Sequence, residues 1–485
     1  MDHQEVKHKA LSGIVWQTAQ RFSTKLVSLA VSILLARLLS PDDFGLVALT
    51  SIFLTIASIF ADSGLGTSLV QKKDIDHLDT NSVFFFGLGV SAAIYVILFF
   101  CAPLIAGLYD KPQLVGILRL LGINLLFSSI SSVQGSLVSR KLDFKKFFFL
   151  SLITTVISGA VGLIMAFSGC GVWTLIGQSL TGSIVSVITL NRMVKWVPRF
   201  EFSFKRLKQL YSFGLNFMGT NLIGAFFNEL RGFLIGLKYK PADLAFYNRG
   251  ESLPGFVNGT VTGTLLGVLF PVMSRLQDDK NAIKTSIRRS MMSSTFLMAP
   301  LMFLLMGAAD SIIVLLYTEK WAAAIPFMQV VAVGYLLSIV GNANLQALNA
   351  IGRSDVCLKL EFVKKPVYLA ILLYTMTISP LAMAAGNTVY ALYGASVNAL
   401  PNKKLIGYSY GEQLRDIAPS IGLGLLSGVV AYAVGRLPLN IYLLLILQFL
   451  IGIGVYWIIA KLLKFESYQY LRNTVIDYIR NLRSA

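Results

Sequence analysis

The segment Leu34-Leu35-Ala36-Arg37-Leu38-Leu39-Ser40-Pro41-Asp42-Asp43-Phe44 recurs 200 residues later as Leu234-Ile235-Gly236-Leu237-Lys238-Tyr239-Lys240-Pro241-Ala242-Asp243-Leu244. In both copies an apolar run gives way to a polar turn, and a proline opens the next apolar run. Ser40 or Asp42 can accept N–H bonds at a helix start, and proline fits the first helical turn. The motif therefore reads as a cap between two helices rather than as catalytic use of Asp42 and Asp43. It also divides the chain into two like halves. Six membrane crossings return a half to the side on which it began, so such halves share one orientation and are related by an axis along the membrane normal.

Composition agrees with a membrane chain. Of 485 residues, 55% are hydrophobic and 14% charged, with a mean hydropathy of +0.68. A soluble protein carries about 25% charged residues. At about 20 residues per crossing, this length allows a dozen or more. A soluble globular enzyme, a disordered chain and a secreted disulfide scaffold are excluded. The expected fold is an all-α polytopic membrane protein with fourteen spans, at 11–37, 44–70, 82–108, 113–138, 146–168, 171–191, 209–237, 244–272, 291–316, 322–350, 360–383, 386–402, 416–435 and 438–462. Two six-helix lobes follow, 1–195 and 196–405, with two further helices and a tail in 406–485.

Charge orients these spans. Lys and Arg number 42 against 24 Asp and Glu, a net +18. With the N-terminus inside, the basic residues around 72–73, 140–146, 192–208, 275–289, 353–365, 403–415 and 461–483 fall on one side, and the bias is roughly five to one. Both termini are then cytoplasmic. Most of the positive charge is topological, which removes the main support for a nucleic-acid partner. The outward loops are too short to hold the acceptor domain of a membrane glycosyltransferase or polymerase. The polar N-terminus and the polar breaks in the first apolar stretch give a retained first helix rather than a cleaved leader.

Cys101, Cys170 and Cys357 follow no CxxC spacing, and His3, His8 and His77 sit in cytoplasmic segments, so no disulfide, metal site or cofactor is expected. Ile421-Gly422-Leu423-Gly424 follows no strand and reads as close helix packing.

The informative residues are charges inside the spans, each costing about 2.5 to 3.5 kcal/mol at a helix centre. Gln17, Arg21 and Lys25 recur at four-residue spacing on one face of the first span, with Gln20 and Ser28. Asp62 lies in the second span and Arg119 in the fourth. The seventh carries Asn216, Asn221, Asn228, Glu229 and Arg231, and the eighth Asn248, Arg249 and Glu251. Gln178, Asn342, Asn344 and Gln346 add polar groups. Arg21, Lys25, Arg119, Arg231 and Arg249 outnumber the acids, which implies a polar, mildly cationic cavity. Gln17, Asp62, Asn221, Asn228, Glu229 and Glu251 would supply its polar contacts or bind a coupling ion. The competing reading pairs Glu229 with Arg231 or Arg249 and Asp62 with Lys25, leaves the arginines snorkelling, and uses the amides for helix contacts.

Ile33 to Gly45, then Phe60-Ala61-Asp62-Ser63-Gly64-Leu65-Gly66 and Tyr247-Asn248-Arg249-Gly250-Glu251-Ser252-Leu253-Pro254, resemble Wzx-type polysaccharide flippases. These belong to the multidrug/oligosaccharidyl-lipid/polysaccharide exporter superfamily, and the similarity is to the colanic-acid-exporter-like branch. The resemblance implies a non-enzymatic flippase in the bacterial inner membrane, with a V-shaped pair of lobes. Its substrate would be an undecaprenyl-diphosphate-linked oligosaccharide, carried to the outer leaflet for exopolysaccharide or lipopolysaccharide biosynthesis. Membrane lipids, a polysaccharide polymerase and other assembly proteins are the partners it implies. A diphosphate suits Arg and Lys, and sugar hydroxyls suit Asn and Gln. An ion-coupled drug or cation antiporter of the same superfamily is the alternative, and a membrane glycosyltransferase or polymerase the alternative from another class.

Overall fold

The structure, a computed structural model, describes residues 3–141, 143–274 and 279–484. Within helices, the side chains of 3–15, 18, 21, 209–213, 215–217, 264–272, 274, 474–475 and 478–484 lie outside that description. The described chain is helical throughout, apart from short connections.

The first of two compact units spans Met1–Ala245. It holds α1 (His3–Leu38), α2 (Pro41–Leu49), α3 (Ser51–Asp62), α4 (Leu65–Gln71), α5 (His77–Leu108), α6 (Gln113–Gly122), α7 (Asn124–Arg140), α8 (Phe144–Phe167), α9 (Trp173–Val194) and α10 (Phe204–Lys238). α1 lies along α8, and Gln20 Nε2 donates to Ser151 Oγ at 2.7 Å. α10 packs against α2, α3, α4 and α5. The repeat leads to an expected boundary at 195, whereas packing divides the chain at 245, because α10 is covered by these four helices.

The second unit, Phe246–Ala485, begins inside α11 (Pro241–Ser274). It continues with α12 (Lys280–Gly307), α13 (Ala309–Tyr317), α14 (Ile325–Ala350), α15 (Ser354–Met376), α16 (Pro380–Leu405), α17 (Tyr410–Val434), α18 (Ile441–Leu462) and α19 (Glu466–Ser484). α12 is its centre, packed on α14, α17, α18 and α19, with Ile283, Ile287, Met291 and Phe296 buried.

Among the described residues, nine helices are long and apolar enough to cross a membrane. That criterion passes over α1, α10, α11, α15 and α16; the first three hold most of the intramembrane charges. The expected second span is three helices, broken at Thr50 and again at Ser63–Gly64, where the backbone is left-handed at φ 48° and 65°. A Cβ on Gly64 would lie 2.5 Å from the Gly214 carbonyl oxygen, so α10 can approach the break only at glycine. The expected boundary at 383–386 falls at 376–380 instead. There Ser379 Oγ accepts the Ala382 N–H at 3.0 Å and Pro380 occupies the first turn, a start signal hidden within an apolar run.

Both repeat motifs cap helices, and the third residue after the cap does the work. Asp43 accepts from the Ser40 N–H at 3.0 Å while Ser40 Oγ accepts the Asp43 N–H at 3.2 Å. In the second copy Asp243 accepts from the Lys240 N–H at 3.0 Å. The two loops touch: a Cβ on Gly45 would lie 2.0 Å from the Pro241 carbonyl oxygen.

Prolines inside helices leave carbonyls to be satisfied. Pro300 in α12 cannot donate to the Phe296 carbonyl, and Tyr456 Oη does so from α18 at 2.8 Å. Tyr456→Phe should strand this buried oxygen and cost about 1 to 3 kcal/mol. A fall in the thermal midpoint of the purified protein in detergent checks this, and an unchanged midpoint refutes it.

α19 is held by Arg288, which donates to the two carboxylate oxygens of Glu466, each at 2.8 Å, and to Asp416 at 3.0 Å. Arg288 holds the Glu466 carboxyl below the usual glutamate range. A lowered carboxyl stabilises docking above its ordinary pKa of about 4.3 and loses that contribution as pH falls through the folded value. The pair is half-exposed, so the effect is under about 1 kcal/mol. Hydrogen exchange in α19 should therefore rise below about pH 4, and Glu466→Gln should raise it already at neutral pH and flatten the dependence.

Candidate functional site

In the first unit the intramembrane acids are held by hydroxyls. Glu229 on α10, half-buried, accepts from Ser51 Oγ at the start of α3 at 2.8 Å. Asp62 ends α3 and accepts from Ser132 Oγ of α7 at 3.4 Å. Asp62 lines a cavity of about 20 Å³ with Ser128, Ser129 and Ser132, room for about one water. Gly66 forms its wall, since a Cβ there would lie 2.7 Å from Ser132 Oγ. The segment from Asp62 to Gly66 thus builds a small polar chamber rather than a turn alone.

Arg119 on α6 has a local assignment. Its Nε donates to the Phe99 carbonyl at 3.3 Å, and its guanidinium carbon sits 3.9 Å above the Phe99 ring. Pro103 stands four residues after Phe99 in α5 and has no N–H to offer that carbonyl. Arg119 supplies the missing donor, as Tyr456 does for Phe296.

Gln17 is half-buried on α1 and Lys25 is exposed there, while the Arg21 side chain lies outside the described residues. Asn221 and Asn228 are exposed on α10, and Arg231 is half-buried beside Glu229 in sequence. Asn216 lies outside the described side chains.

In the second unit Arg249 is 8% exposed, and its guanidinium carbon lies 4.7 Å from the Tyr317 ring centroid and 4.9 Å from that of Trp321. A planar cation between aromatic faces is attracted by both quadrupoles. Gly250 lets α11 approach α14, where a Cβ would meet the Ala324 carbonyl oxygen at 2.8 Å. Two residues after Arg249, Glu251 accepts from Tyr335 Oη of α14 at 2.6 Å. The structure therefore sets Arg249 against Tyr317 and Trp321, and Glu251 against Tyr335. None of these three aromatics carries a local signal in the sequence, since they lie on α13, the short 3-10 helix after it (Glu319–Ala324) and α14.

Asn344 has a different place. It is fully buried, donates to Gln413 Oε1 at 2.7 Å and accepts from Asn402 Nδ2 at 2.6 Å, tying α14 to α16 and α17. This is an interhelical amide network. Among the described residues no His, Cys, Asp and Glu group could hold a metal ion. The arrangement offers a buried guanidinium to anions and carboxylates that accept hydroxyl hydrogens.

Comparison with known proteins gives a consistent set of likenesses. The family model described as "Polysaccharide biosynthesis protein" matches residues 34–326. The succinoglycan biosynthesis transport protein ExoT of Rhizobium meliloti is 24% identical over 311 residues, 64% of this chain and 62% of that protein. The match thus spans less than two thirds of ExoT. The lipopolysaccharide biosynthesis protein WzxC of Escherichia coli is 22% identical over 451 residues, 89% of this chain and 88% of that protein. Among solved structures, the lipid II flippase MurJ in its inward closed conformation superposes with a TM-score of 0.75 at 15% identity, over 93% of this chain and 98% of that one. At that identity the likeness is one of fold.

Arg249→Ala should lower the thermal midpoint by several degrees, because both rings lose the cation and a cavity opens. Arg249→Lys should recover part of the loss, keeping the charge over the rings but not the planar stack. Equal midpoints for the two variants would refute the stacked assignment.

Proposed function

The chain belongs to the polysaccharide biosynthesis protein family, whose model spans residues 34–326, and from that premise we propose that it is a lipid-linked oligosaccharide flippase. It carries undecaprenyl-diphosphate-linked repeat units from the inner to the outer leaflet of the bacterial plasma membrane. It is a multi-pass protein of fourteen crossings with both termini cytoplasmic, and it moves its substrate without transforming it. The family match carries the reading, and the polysaccharide roles in the names of ExoT and WzxC agree with it.

The geometry supports the same reading. A diphosphate leaving water needs cations already in place, and a guanidinium held by aromatic rings, as Arg249 is, is pre-organised for one. Arg21, Lys25 and Arg231 supply the remaining charge, and Arg119 contributes from its position over Phe99. Gln17, Asn221 and Asn228 suit sugar hydroxyls. Asp62, Glu229 and Glu251 take up a proton or cation when the diphosphate is absent. Alternating access follows from rocking of the first six spans against the next six, with the lipid tail left in the bilayer.

Deleting the gene should make lipid-linked oligosaccharide accumulate on the inner leaflet. Wild type should relieve this, whereas Arg249→Ala and Lys25→Ala at matched expression should restore export about tenfold less well, equivalent to about 1.4 kcal/mol. If no lipid-linked sugar accumulates and drug tolerance falls instead, the antiporter reading replaces this one.

A further inference from the structure

A second polar pocket lies away from the intramembrane charges, at the end of the first unit where α5 and α8 begin and α7 and α9 finish. It encloses about 470 Å³ and is lined by Lys141, Lys146, Lys195 and Arg199, with Asp143 as its one acid. Asp143 is engaged by Lys146 at 3.2 Å. Among the described residues no carboxylate lies within ion-pair distance of Lys141, Lys195 or Arg199. Three like charges around one hollow repel unless an anion enters.

The wall is built, not merely exposed. Lys195 takes left-handed backbone at φ 51°, a conformation strained for lysine and more usual for glycine or asparagine after a helix. The linker that follows is pinned: Asn81 accepts from the Arg199 N–H at 3.2 Å, and Ser82 Oγ accepts the Ser203 N–H at 2.9 Å. Asn81 and Ser82 are fully buried. Trp196 is only 9% exposed, packs on Phe84 at 5.5 Å between centroids, and its indole N–H has no acceptor among the described residues. The pocket thus sets three cations, with no carboxylate partner among the described residues, on a packed wall.

The linker also says where the anion comes from. Basic Lys195 and Arg199 alternate with large apolar groups that remain outside the protein core: Val197 is 74% exposed, Phe200 98% and Phe204 72%. Such a segment, basic and aromatic by turns, is stable at the boundary between headgroups and acyl chains. A soluble anion would need the cations but not the phenylalanines.

We propose that this pocket holds the phosphate of an anionic membrane phospholipid, with residues 195–204 resting in the bilayer surface beside it. None of the intramembrane charges lines this site, so the lipid it holds is independent of the cargo.

The test is native mass spectrometry of the full-length protein released from detergent with phosphatidylglycerol or phosphatidylcholine. Wild type should retain one phosphatidylglycerol in preference to phosphatidylcholine. Lys195→Gln combined with Arg199→Gln should reduce that retention about tenfold. Lys403→Gln with Lys404→Gln, an equal charge change on exposed residues of the second unit, should leave it intact. Absence of a preference in wild type, or equal loss in both double variants, overturns the proposal. So does displacement of the lipid by millimolar inorganic phosphate, which would make this a free-phosphate site. If the pocket double variant fails to fold, wild-type selectivity and Lys195→Gln alone decide the matter.

Discussion

Inside hydrocarbon an unpaired backbone carbonyl has no water to turn to, and each one left alone costs several kcal/mol by order of magnitude. Pro103 and Pro300 each create such a carbonyl in the middle of a long helix, at Phe99 and Phe296. Arg119 fills one from α6 and Tyr456 the other from α18. The helix pairs α5–α6 and α12–α18 are thereby fixed by polar contacts as well as by packing. The same constraint governs the acids, since Asp62, Glu229 and Glu251 each accept a hydroxyl hydrogen. A charge in this protein is seldom available simply because it is present; its first partner is usually supplied by a neighbouring helix.

That constraint explains what the sequence disclosed. Repetition of the Pro-Asp motif was legible because capping depends on residues three apart, and the cap at Asp43 has its counterpart at Asp243. The all-helical, multi-span character was legible because hydropathy is a local property, although the breaks at Thr50 and Ser63–Gly64 and the start at Pro380 were not placed. Arg119 was read as a cavity cation from its depth alone. Pro103, which explains its position, is sixteen residues away, and the link appears only when α5 and α6 are known to be adjacent. Tyr317, Trp321 and Tyr335 were missed for the same reason: an aromatic in an apolar span is ordinary until a guanidinium or carboxylate arrives beside it from α11.

The basic clusters that orient the chain show how counting and packing differ. The topological bias weighs every lysine and arginine alike, yet many of these residues are bonded within the protein. Arg140 donates to the carbonyls of Leu69 and Lys73 and fastens the end of α4, and Lys72 pairs with Asp79 at 2.6 Å. Arg206 reaches Asp76 at 3.2 Å, and Lys284 reaches the Gly407 carbonyl at 2.6 Å. These residues would be basic whether or not a membrane potential had selected them. Lys141, Lys195 and Arg199 lie in the same clusters and satisfy the same rule, but the fold gathers them around a hollow whose lining acid, Asp143, is engaged by Lys146, and among the described residues no carboxylate lies within ion-pair distance of these three. Subtracting the cations that the protein uses on itself is what separates a topological signal from a binding surface, and that subtraction requires coordinates.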